Sequence, residues 1–501
     1  MTTIDRGTRG AARAIAVRRR GVPRPHHAVA AFLAALLALR LLGVLTVPLT
    51  DTTEARYAEI ARLMLVSGEW ITPQFAPGVP FWGKPPLHTW LSAAGMGLVG
   101  VNEAGARLPI LLVACGLLWA LGRWAAPMVG RDAALASVAV LAGSAAFLVS
   151  SAMVMTDLVM TAAITLSMIA FWSAARGGDR LWGWLFFAGL GVGLLAKGPV
   201  AVVLVTLPIG LWVVLGRRWG GLARLPWAGG LVLTLAIAGP WYLAAELATP
   251  GFLRYFLVGE HVERFLVPGW TGDLYGSGHA RPKGTIWAYF ALGALPWTIL
   301  APALLARPRA LRAAFRDDGS GWRLYLLLWA MAPMALFTPA ANIVPAYALP
   351  GLPGAALLAV QLWRDLRVPP RATRWAFGAA GAAALAVAAA LALAPVVAPD
   401  AGIAARSMKR LAAAGEAAAP GAKLHVVGGR RFSAEFYTAG RARSVEPGAL
   451  GAVLADDRTD LVAVPLSRID RLDPGALDRL EPLGTFGREA LFVHRPVGAV
   501  Q

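Results

Sequence analysis

The chain has 501 residues, of which 57% are hydrophobic and 15% charged, and its mean hydropathy is +0.59. One soluble core cannot bury this much apolar surface, so the composition excludes an ordinary soluble protein and makes lipid the main solvent. The net charge of +19 does not indicate nucleic-acid binding, because the basic residues lie in short clusters between apolar runs.

The N-terminus, residues 1–27, is basic and carries seven arginines before the apolar run 28–45. That run is longer than a signal-peptide core and lacks a small-x-small cleavage site, so we expect it to be retained as the first membrane helix. Since basic connections face the cytoplasm, the N-terminus is predicted to lie inside.

Apolar stretches long enough to cross about 30 Å of hydrocarbon continue along the chain. They predict a polytopic α-helical membrane protein with about eleven spans, or up to thirteen, because Gly and Pro blur the ends. The stretches cover residues 28–48, 108–128, 133–151, 158–175, 181–196, 199–216, 228–245, 285–305, 323–338, 345–362 and 375–397. Residues 28–397 form the predicted membrane domain. Arginine clusters place every second connection in the cytoplasm, so the long loops 49–107 and 246–284 face outward.

The composition changes after Pro395, and residues 398–501 predict a small soluble α/β domain. Short β-type runs at 424–427, 461–465 and 490–494 alternate with helical stretches at 433–438 and 447–454. An odd number of spans places this domain outside, in the periplasm, whereas an even number would place it in the cytoplasm.

The first outward loop begins with Asp51, which has Glu54 three residues on, a spacing typical of helix initiation. An interfacial helix would then follow, with Glu54, Arg56, Glu59 and Arg62 on its polar face and Tyr57, Ile60, Leu63 and Met64 toward lipid. The loop continues as Phe81-Trp82-Gly83-Lys84-Pro85-Pro86. This segment offers a cation for a lipid phosphate and aromatic rings at headgroup level, although an ordinary aromatic belt has the same pattern.

Other charged residues lie at the outer ends of spans. Burying the charge of Asp157 there is costly unless the side chain faces a polar cavity, so Asp157 is a candidate for a functional site. The alternative is that it caps the next helix. Lys197 lies at an outer turn. It is a candidate for a functional site there, and the alternative is that its ammonium group only extends to the membrane surface (snorkelling). In the last long loop, Glu260 and Arg264 lie one helical turn apart, as do His261 and Phe265, a pattern that fits a phosphate site, a metal site or an exposed polar face.

Together these segments resemble the aminoarabinose (4-amino-4-deoxy-L-arabinose) transferase family of lipid-linked-sugar glycosyltransferases, which are relatives of the protein O-mannosyltransferases with the GT-C architecture. The tail matches more weakly, through Ser433-Ala-Glu-Phe-Tyr437. The matching segments of the membrane part are Asp51 to Glu59, Glu69-Trp70, Lys84-Pro85, Thr156-Asp157, Ala196-Lys197-Gly198-Pro199, Pro250-Gly251-Phe252, Glu260-His261, Arg264-Phe265, Gly293 to Trp297 and Pro345-Ala346-Tyr347-Ala348-Leu349-Pro350.

The resemblance implies a sugar donor on undecaprenyl phosphate, consumed on the periplasmic face of the bacterial inner membrane, and an acceptor such as lipid A phosphate. It implies that Asp51 is the main catalytic carboxylate and Asp157 a second essential acid. The residues implied or chosen as candidates to bind the donor phosphate and lipid are Lys84, Arg56, Arg264, Tyr57, Trp82, Tyr347 and Lys197. A divalent metal is the candidate cofactor, with His261 and Glu260 as its candidate ligands.

The chain departs from the family pattern at two places. Gly83 stands where the family usually has Glu, which removes a candidate metal partner of His261, and Asn342-Ile343-Val344 replaces a usual basic residue. Two rival functions stay open: a transporter or flippase for polyprenyl-linked sugar or lipid, without transfer chemistry, and a binding or assembly protein that works through its C-terminal domain. The residues do not distinguish between sugars or acceptors.

Overall fold

A computed structural model describes residues 25–276, 278–455 and 458–495. The basic N-terminal residues 1–24, which the sequence predicts to be cytoplasmic, lie outside the described residues. In the described residues from 25 to 397 the chain is mainly helical. Its α-helices are α1 (Pro25–Thr46), α2 (Thr53–Ser67), α3 (Leu87–Val99), α4 (Glu103–Val129), α5 (Arg131–Ala142), α6 (Ala145–Ser150), α7 (Thr156–Ala175), α8 (Arg180–Lys197), α9 (Pro199–Gly216), α10 (Gly220–Ala223), α11 (Trp227–Ala248), α12 (Arg264–Leu266), α13 (Thr285–Gly293), α14 (Ala301–Leu305), α15 (Pro308–Arg316), α16 (Trp322–Phe337), α17 (Leu352–Asp365) and α18 (Pro370–Val397).

Three shorter elements of other geometry interrupt this series. Arg254–Glu263 is a π-helix, and Trp297–Leu300 and Pro345–Gly351 are 3₁₀-helices that lead into α14 and α17. A small antiparallel hairpin of β1 (Gln74–Ala76) and β2 (Val79–Pro80) lies in the first outward loop.

Several helices can cross a membrane by length and composition, which confirms a polytopic helical membrane protein. Within the described residues there are seven, and an eighth if the bent pair Thr285–Gly293 and Trp297–Leu305 counts as one span. Each of the eleven stretches expected from the sequence overlaps a helix or a broken helix pair. The prediction of about eleven spans is not settled by this overlap and stays a prediction. The seven helices are His26–Thr46, Glu103–Val129, Thr156–Ala175, Pro199–Gly216, Trp227–Ala248, Pro345–Asp365 and Pro370–Val397.

The expectation that α2 lies at the interface with its apolar face toward lipid is wrong. Ile60 and Met64 are fully buried, and Glu59 and Arg62 of the supposed polar face are buried as well. Helix α2 packs against α3 on one side and against a helix of the C-terminal domain on another. An amphipathic pattern also arises when protein, not lipid, covers the apolar face.

The C-terminal part is the small α/β domain predicted from the sequence. In residues 398–455 and 458–495 the structure has a five-stranded sheet of order β4-β3-β5-β7-β6, in which β4, β3 and β5 are parallel and β5, β7 and β6 antiparallel. Its elements are the 3₁₀-helix Ala404–Arg406, α19 (Lys409–Ala418), β3 (Lys423–Val427), α20 (Phe432–Tyr437), β4 (Ala442–Val445), the 3₁₀-helix Pro447–Ala449, α21 (Leu450–Val453), β5 (Asp460–Pro465), the 3₁₀-helix Leu466–Arg471, α22 (Pro474–Leu477), β6 (Leu480–Phe486) and β7 (Glu489–His494).

Candidate functional site

A cavity of about 190 Å³ lies where the π-helix meets the start of α9 and the end of α16. Most of its walls are apolar, and among the described residues three cationic side chains line it: Lys84, Lys197 and Arg264. Cations beside an apolar wall suit a lipid whose phosphate is charged and whose chain is not. Its other lining residues are Met160, Pro199, Val200, Val203, Glu260, His261, Phe265, Leu336, Phe337, Asn342 and Tyr347.

Two of the cations share one carboxylate. Lys84 Nζ lies 2.6 Å from Glu260 Oε2, and Arg264 Nη1 lies 3.0 Å from Glu260 Oε1 and 3.1 Å from Asp273 Oδ2. Burial raises the pKa of Glu260, but the charges of Lys84 and Arg264 outweigh it and leave the pKa below its ordinary value. The carboxylate therefore stays ionised and fixes both cations at the rim of the cavity.

The third cation comes from the end of α8. Lys197 forms an ion pair with Asp157, in the first turn of α7, and its Nζ lies 4.6 Å from the ring centroid of Tyr347. Since an ammonium group has three N–H donors and Asp157 takes one, Lys197 has donors left for a phosphate. Asp157 is thus held by a cation and is not the helix cap that the alternative interpretation suggested; the N-cap residue of α7 is Met155.

The π-helix sets the geometry of the last long loop. Such helices are rare and often occur at functional sites. Its wide turn lets the Nδ1 atom of His261 come within 2.7 Å of the carbonyl oxygen of Phe256, five residues earlier. Burial lowers the pKa of His261, so the ring is neutral at physiological pH.

The residues around His261 do not fit a bound metal ion. The Glu260 carboxylate is engaged by two cations, and no group of three or more His, Cys, Asp or Glu side chains suited to a metal occurs within the described residues. Gly83 offers no ligand, and a Cβ atom there would lie 2.9 Å from Cζ of Phe81, whose ring fills the space.

Asn342, one of the departures from the family pattern, has a structural role at the same cavity. Its Nδ2 atom donates to the carbonyl oxygens of Arg264 and Val267 at 2.7 and 2.6 Å, and its Oδ1 accepts from Gly269 N at 3.1 Å. The side chain is buried. Asn342 thus fixes the backbone that carries Arg264.

Asp51 does not line the cavity. Its Oδ1 atom accepts a hydrogen bond from Ser433 N at 3.1 Å, and its Oδ2 accepts one from Ser433 Oγ, both from α20 of the C-terminal domain. The helix-initiation interpretation of Asp51 is wrong, because the N-cap residue of α2 is Thr52. Glu54 is not a capping partner either, since its carboxylate binds Arg107.

The remaining candidates contact other residues of the outward loops and of α3. Arg56 donates to the carbonyl oxygen of Tyr275 at 2.6 Å, Tyr57 is buried with its ring 4.8 Å from that of His88, and Trp82 Nε1 donates to Thr249. None of these three side chains lines the described cavity. They hold the loops that carry Lys84 and Asp51 in place.

Sequence reasoning missed two charged residues that the structure places here. Asp273 is the second partner of Arg264, and Arg107 is the partner of Glu54. A lone Asp in a polar loop carries no signal of its pairing. The position of Arg107 did indicate a pairing, because an arginine next to an apolar run needs a carboxylate partner when it is buried.

Comparisons with known proteins agree with the resemblance. The family model of dolichyl-phosphate-mannose-protein mannosyltransferases matches residues 28–256. The chain is 33% identical over 360 residues to undecaprenyl phosphate-alpha-4-amino-4-deoxy-L-arabinose arabinosyl transferase 1 of Pseudomonas fluorescens, covering 68% of this chain and 59% of that protein. It is 32% identical over 319 residues to the corresponding transferase of Pseudomonas aeruginosa, covering 61% and 54%. The chain therefore spans less than two thirds of the length of these relatives.

Solved structures share the fold. The crystal structure of ArnT from Cupriavidus metallidurans bound to undecaprenyl phosphate matches with a TM-score of 0.72 and 20% identity, covering 93% of this chain and 98% of that chain. The apo oligosaccharyltransferase of Archaeoglobus fulgidus matches with a TM-score of 0.52 and 13% identity, covering 93% and 75%. The GT-C-like architecture expected from the sequence is confirmed.

Proposed function

We propose that the chain, which is similar to the protein mannosyltransferases and to the undecaprenyl phosphate-aminoarabinose transferases, is a membrane glycosyltransferase. It moves a sugar, aminoarabinose or a related one, from undecaprenyl phosphate to an acceptor such as lipid A phosphate. Transfer takes place on the periplasmic face of the inner membrane. The observation that carries this proposal is the apolar cavity rimmed by Lys84, Lys197 and Arg264.

The three cations suit the leaving group of this reaction. Breaking the bond between the anomeric carbon and the phosphate oxygen leaves undecaprenyl phosphate with an added negative charge. Donors fixed in advance stabilise that charge in the transition state without reorganising. The cations are held in place by ion pairs with three carboxylates, those of Glu260, Asp157 and Asp273.

The two candidate carboxylates have different environments and therefore different roles. Asp157 forms an ion pair with Lys197, so its carboxylate is already engaged by a cation at the cavity. Burial raises the pKa of Asp51 above its ordinary value, partly offset by the hydrogen bonds from Ser433. Asp51 is therefore the better general base when the acceptor is a hydroxyl, and its proton comes from that hydroxyl. A phosphate acceptor needs no base, and Asp51 then orients the sugar.

Transfer is tested with the full chain in lipid nanodiscs that contain undecaprenyl phosphate-aminoarabinose and lipid A. We expect lipid A to gain the mass of one pentosamine while free undecaprenyl phosphate accumulates, as read by mass spectrometry. Lys84→Ala should slow this, whereas Lys423→Ala, a change at an exposed lysine of the C-terminal domain, should not.

Donors that carry a hexose or a hexosamine are tested in parallel to define the sugar. Failure of every donor with lipid A, with undecaprenyl acceptors and with peptide acceptors would overturn the proposal. If instead donor lipid crossed a liposome bilayer with no change in the mass of any component, the flippase alternative would replace it.

A further inference from the structure

The loop that carries Asp51 is held by the C-terminal domain. Ser433 donates its backbone N–H and its hydroxyl to the two carboxylate oxygens of Asp51, and Asp51 N donates to the carbonyl oxygen of Arg406 at 3.1 Å. These contacts join residues more than 350 positions apart in the chain. They orient the carboxylate from both oxygen atoms, a geometry that packing alone does not require.

A second residue of the same short helix binds next to this loop. Tyr437 OH accepts a hydrogen bond from Leu49 N at 2.7 Å and donates to Glu103 Oε1 at 2.8 Å. Ser433 and Tyr437 are four residues apart and so lie on one face of α20. Lys409, also from the C-terminal domain, forms an ion pair with Glu103 at 2.6 Å. The backbone two residues before Asp51 is thereby fixed as well.

Helix α20 also reaches the segment that carries Lys84. The Phe432 ring lies 5.5 Å from that of Phe75, which lies 5.0 Å from that of Tyr275. Tyr275 OH accepts from Trp82 N at 2.9 Å, two residues before Lys84. One helix of the C-terminal domain thus contacts both the carboxylate loop and the support of the phosphate cavity.

We infer that α20 completes the site formed by the Asp51 loop and the cavity that Lys84, Lys197 and Arg264 line. In this site Ser433 is a positioning residue that orients Asp51 for transfer. This inference rests on the proposed function. It gives a role to the tail motif Ser433-Ala-Glu-Phe-Tyr437, which the membrane part alone leaves without one. The C-terminal domain is then part of the transferase and not a separate binding module.

The charges around Asp51 give the inference a pH signature. Besides Ser433, the carboxylate faces the Arg431 guanidinium, which pairs with Glu489 at 2.8 Å, and Glu489 itself. Burial raises the pKa of Asp51, while the hydrogen bonds from Ser433 and the charge of Arg431 lower it. Removing the Ser433 hydroxyl takes away one donor to the ionised form, so the pKa of Asp51 must rise further.

The test compares Ser433→Ala and Ser433→Thr with Ser444→Ala, which removes the same hydroxyl from an exposed site on β4. In the full chain we expect Ser433→Ala to lower kcat about tenfold or more, with little change in KM for the donor lipid. The acid limb of its kcat profile should move up by about one pH unit. Ser433→Thr should restore most of the rate, and Ser444→Ala should match the wild type.

A readout independent of activity separates this inference from the proposed function. A hydrophobic carbodiimide modifies carboxyl groups in their protonated form, and peptide mass spectrometry quantifies the label on Asp51. Ser433→Ala should raise the pH at which half of Asp51 is labelled, even if no sugar is transferred. Wild-type labelling and a wild-type pH profile in Ser433→Ala would overturn the positioning role, whatever happens to the rate or to thermal stability.

Discussion

Arg107 of α4 and Glu54 of α2 form a bidentate ion pair, with Nε–Oε1 and Nη2–Oε2 distances of 2.7 and 2.8 Å. Both side chains are buried. Arg107 Nη1 also donates to the carbonyl oxygen of Val47 at 2.5 Å, and Glu54 Oε1 accepts from Val154 N at 3.2 Å. The pair therefore ties together the end of α1, the start of α2 and the segment before α7, and it encloses the loop that carries Asp51.

Breaking this pair should destabilise the protein strongly. Arg107→Leu leaves a buried carboxylate without its partner, and such changes cost about 3–5 kcal/mol. We expect a clear fall in the thermal unfolding midpoint in nanodiscs. The control is Arg441→Leu, which breaks an exposed pair with Glu416 and should cost about 1 kcal/mol or less. Equal effects of the two variants would show that the buried pair contributes no more to stability than an exposed pair does.

Neutralising both members of the pair gives the converse result. Glu54→Gln combined with Arg107→Leu leaves no uncompensated charge, so the double variant should be more stable than Arg107→Leu alone. A double variant that is less stable than either single one would mean that the charges act independently. The difference is measured as a coupling energy from the four unfolding midpoints.

Lys197 should contribute to binding of the lipid phosphate. We expect Lys197→Met to weaken binding of undecaprenyl phosphate about tenfold or more, since it removes a charged donor from the cavity. The variant also leaves Asp157 without its cationic partner. The double variant Asp157→Asn/Lys197→Met therefore separates the loss of phosphate binding from the loss of stability. The affinity, measured by native mass spectrometry, should stay low in the double variant while the thermal stability recovers. Wild-type affinity in the double variant would exclude a contact between Lys197 and the phosphate.

Much of the fold is readable from local patterns, and most of the pairing at the site is not. The strands at 460–465 and 489–494 lie where short β-type runs predict them, because hydrophobic periodicity is a local property. The partners of Asp51 and Glu54 come from positions 433 and 107, and no spacing along the chain indicates such contacts. The burial of α2 was missed for the same reason, since part of its cover is α20 of the C-terminal domain.

His88 should make the protein less stable in acid. Burial lowers its pKa to about 3 from an unfolded value near 6.5, so the unfolded state takes up a proton between those values and the folded state does not. The contribution of His88 to the free energy of unfolding is therefore fully present above about pH 6.5. It falls as the pH decreases, by about 2 kcal/mol at pH 5. We expect His88→Phe to lose this part of the pH dependence of the unfolding midpoint. If wild type and variant fell in parallel from pH 7 to pH 5, His88 would not be the group responsible.

Gly83 and its surroundings predict that transfer does not depend on a divalent metal at His261. The ring of Phe81 fills the space where a side chain at position 83 would begin, and the nearby Glu260 is neutralised by Lys84 and Arg264. Dialysis against a strong chelator should therefore leave the transfer rate unchanged, as measured by release of undecaprenyl phosphate. A chelated wild-type protein that lost activity and regained it with zinc would show that ligands other than these hold a metal.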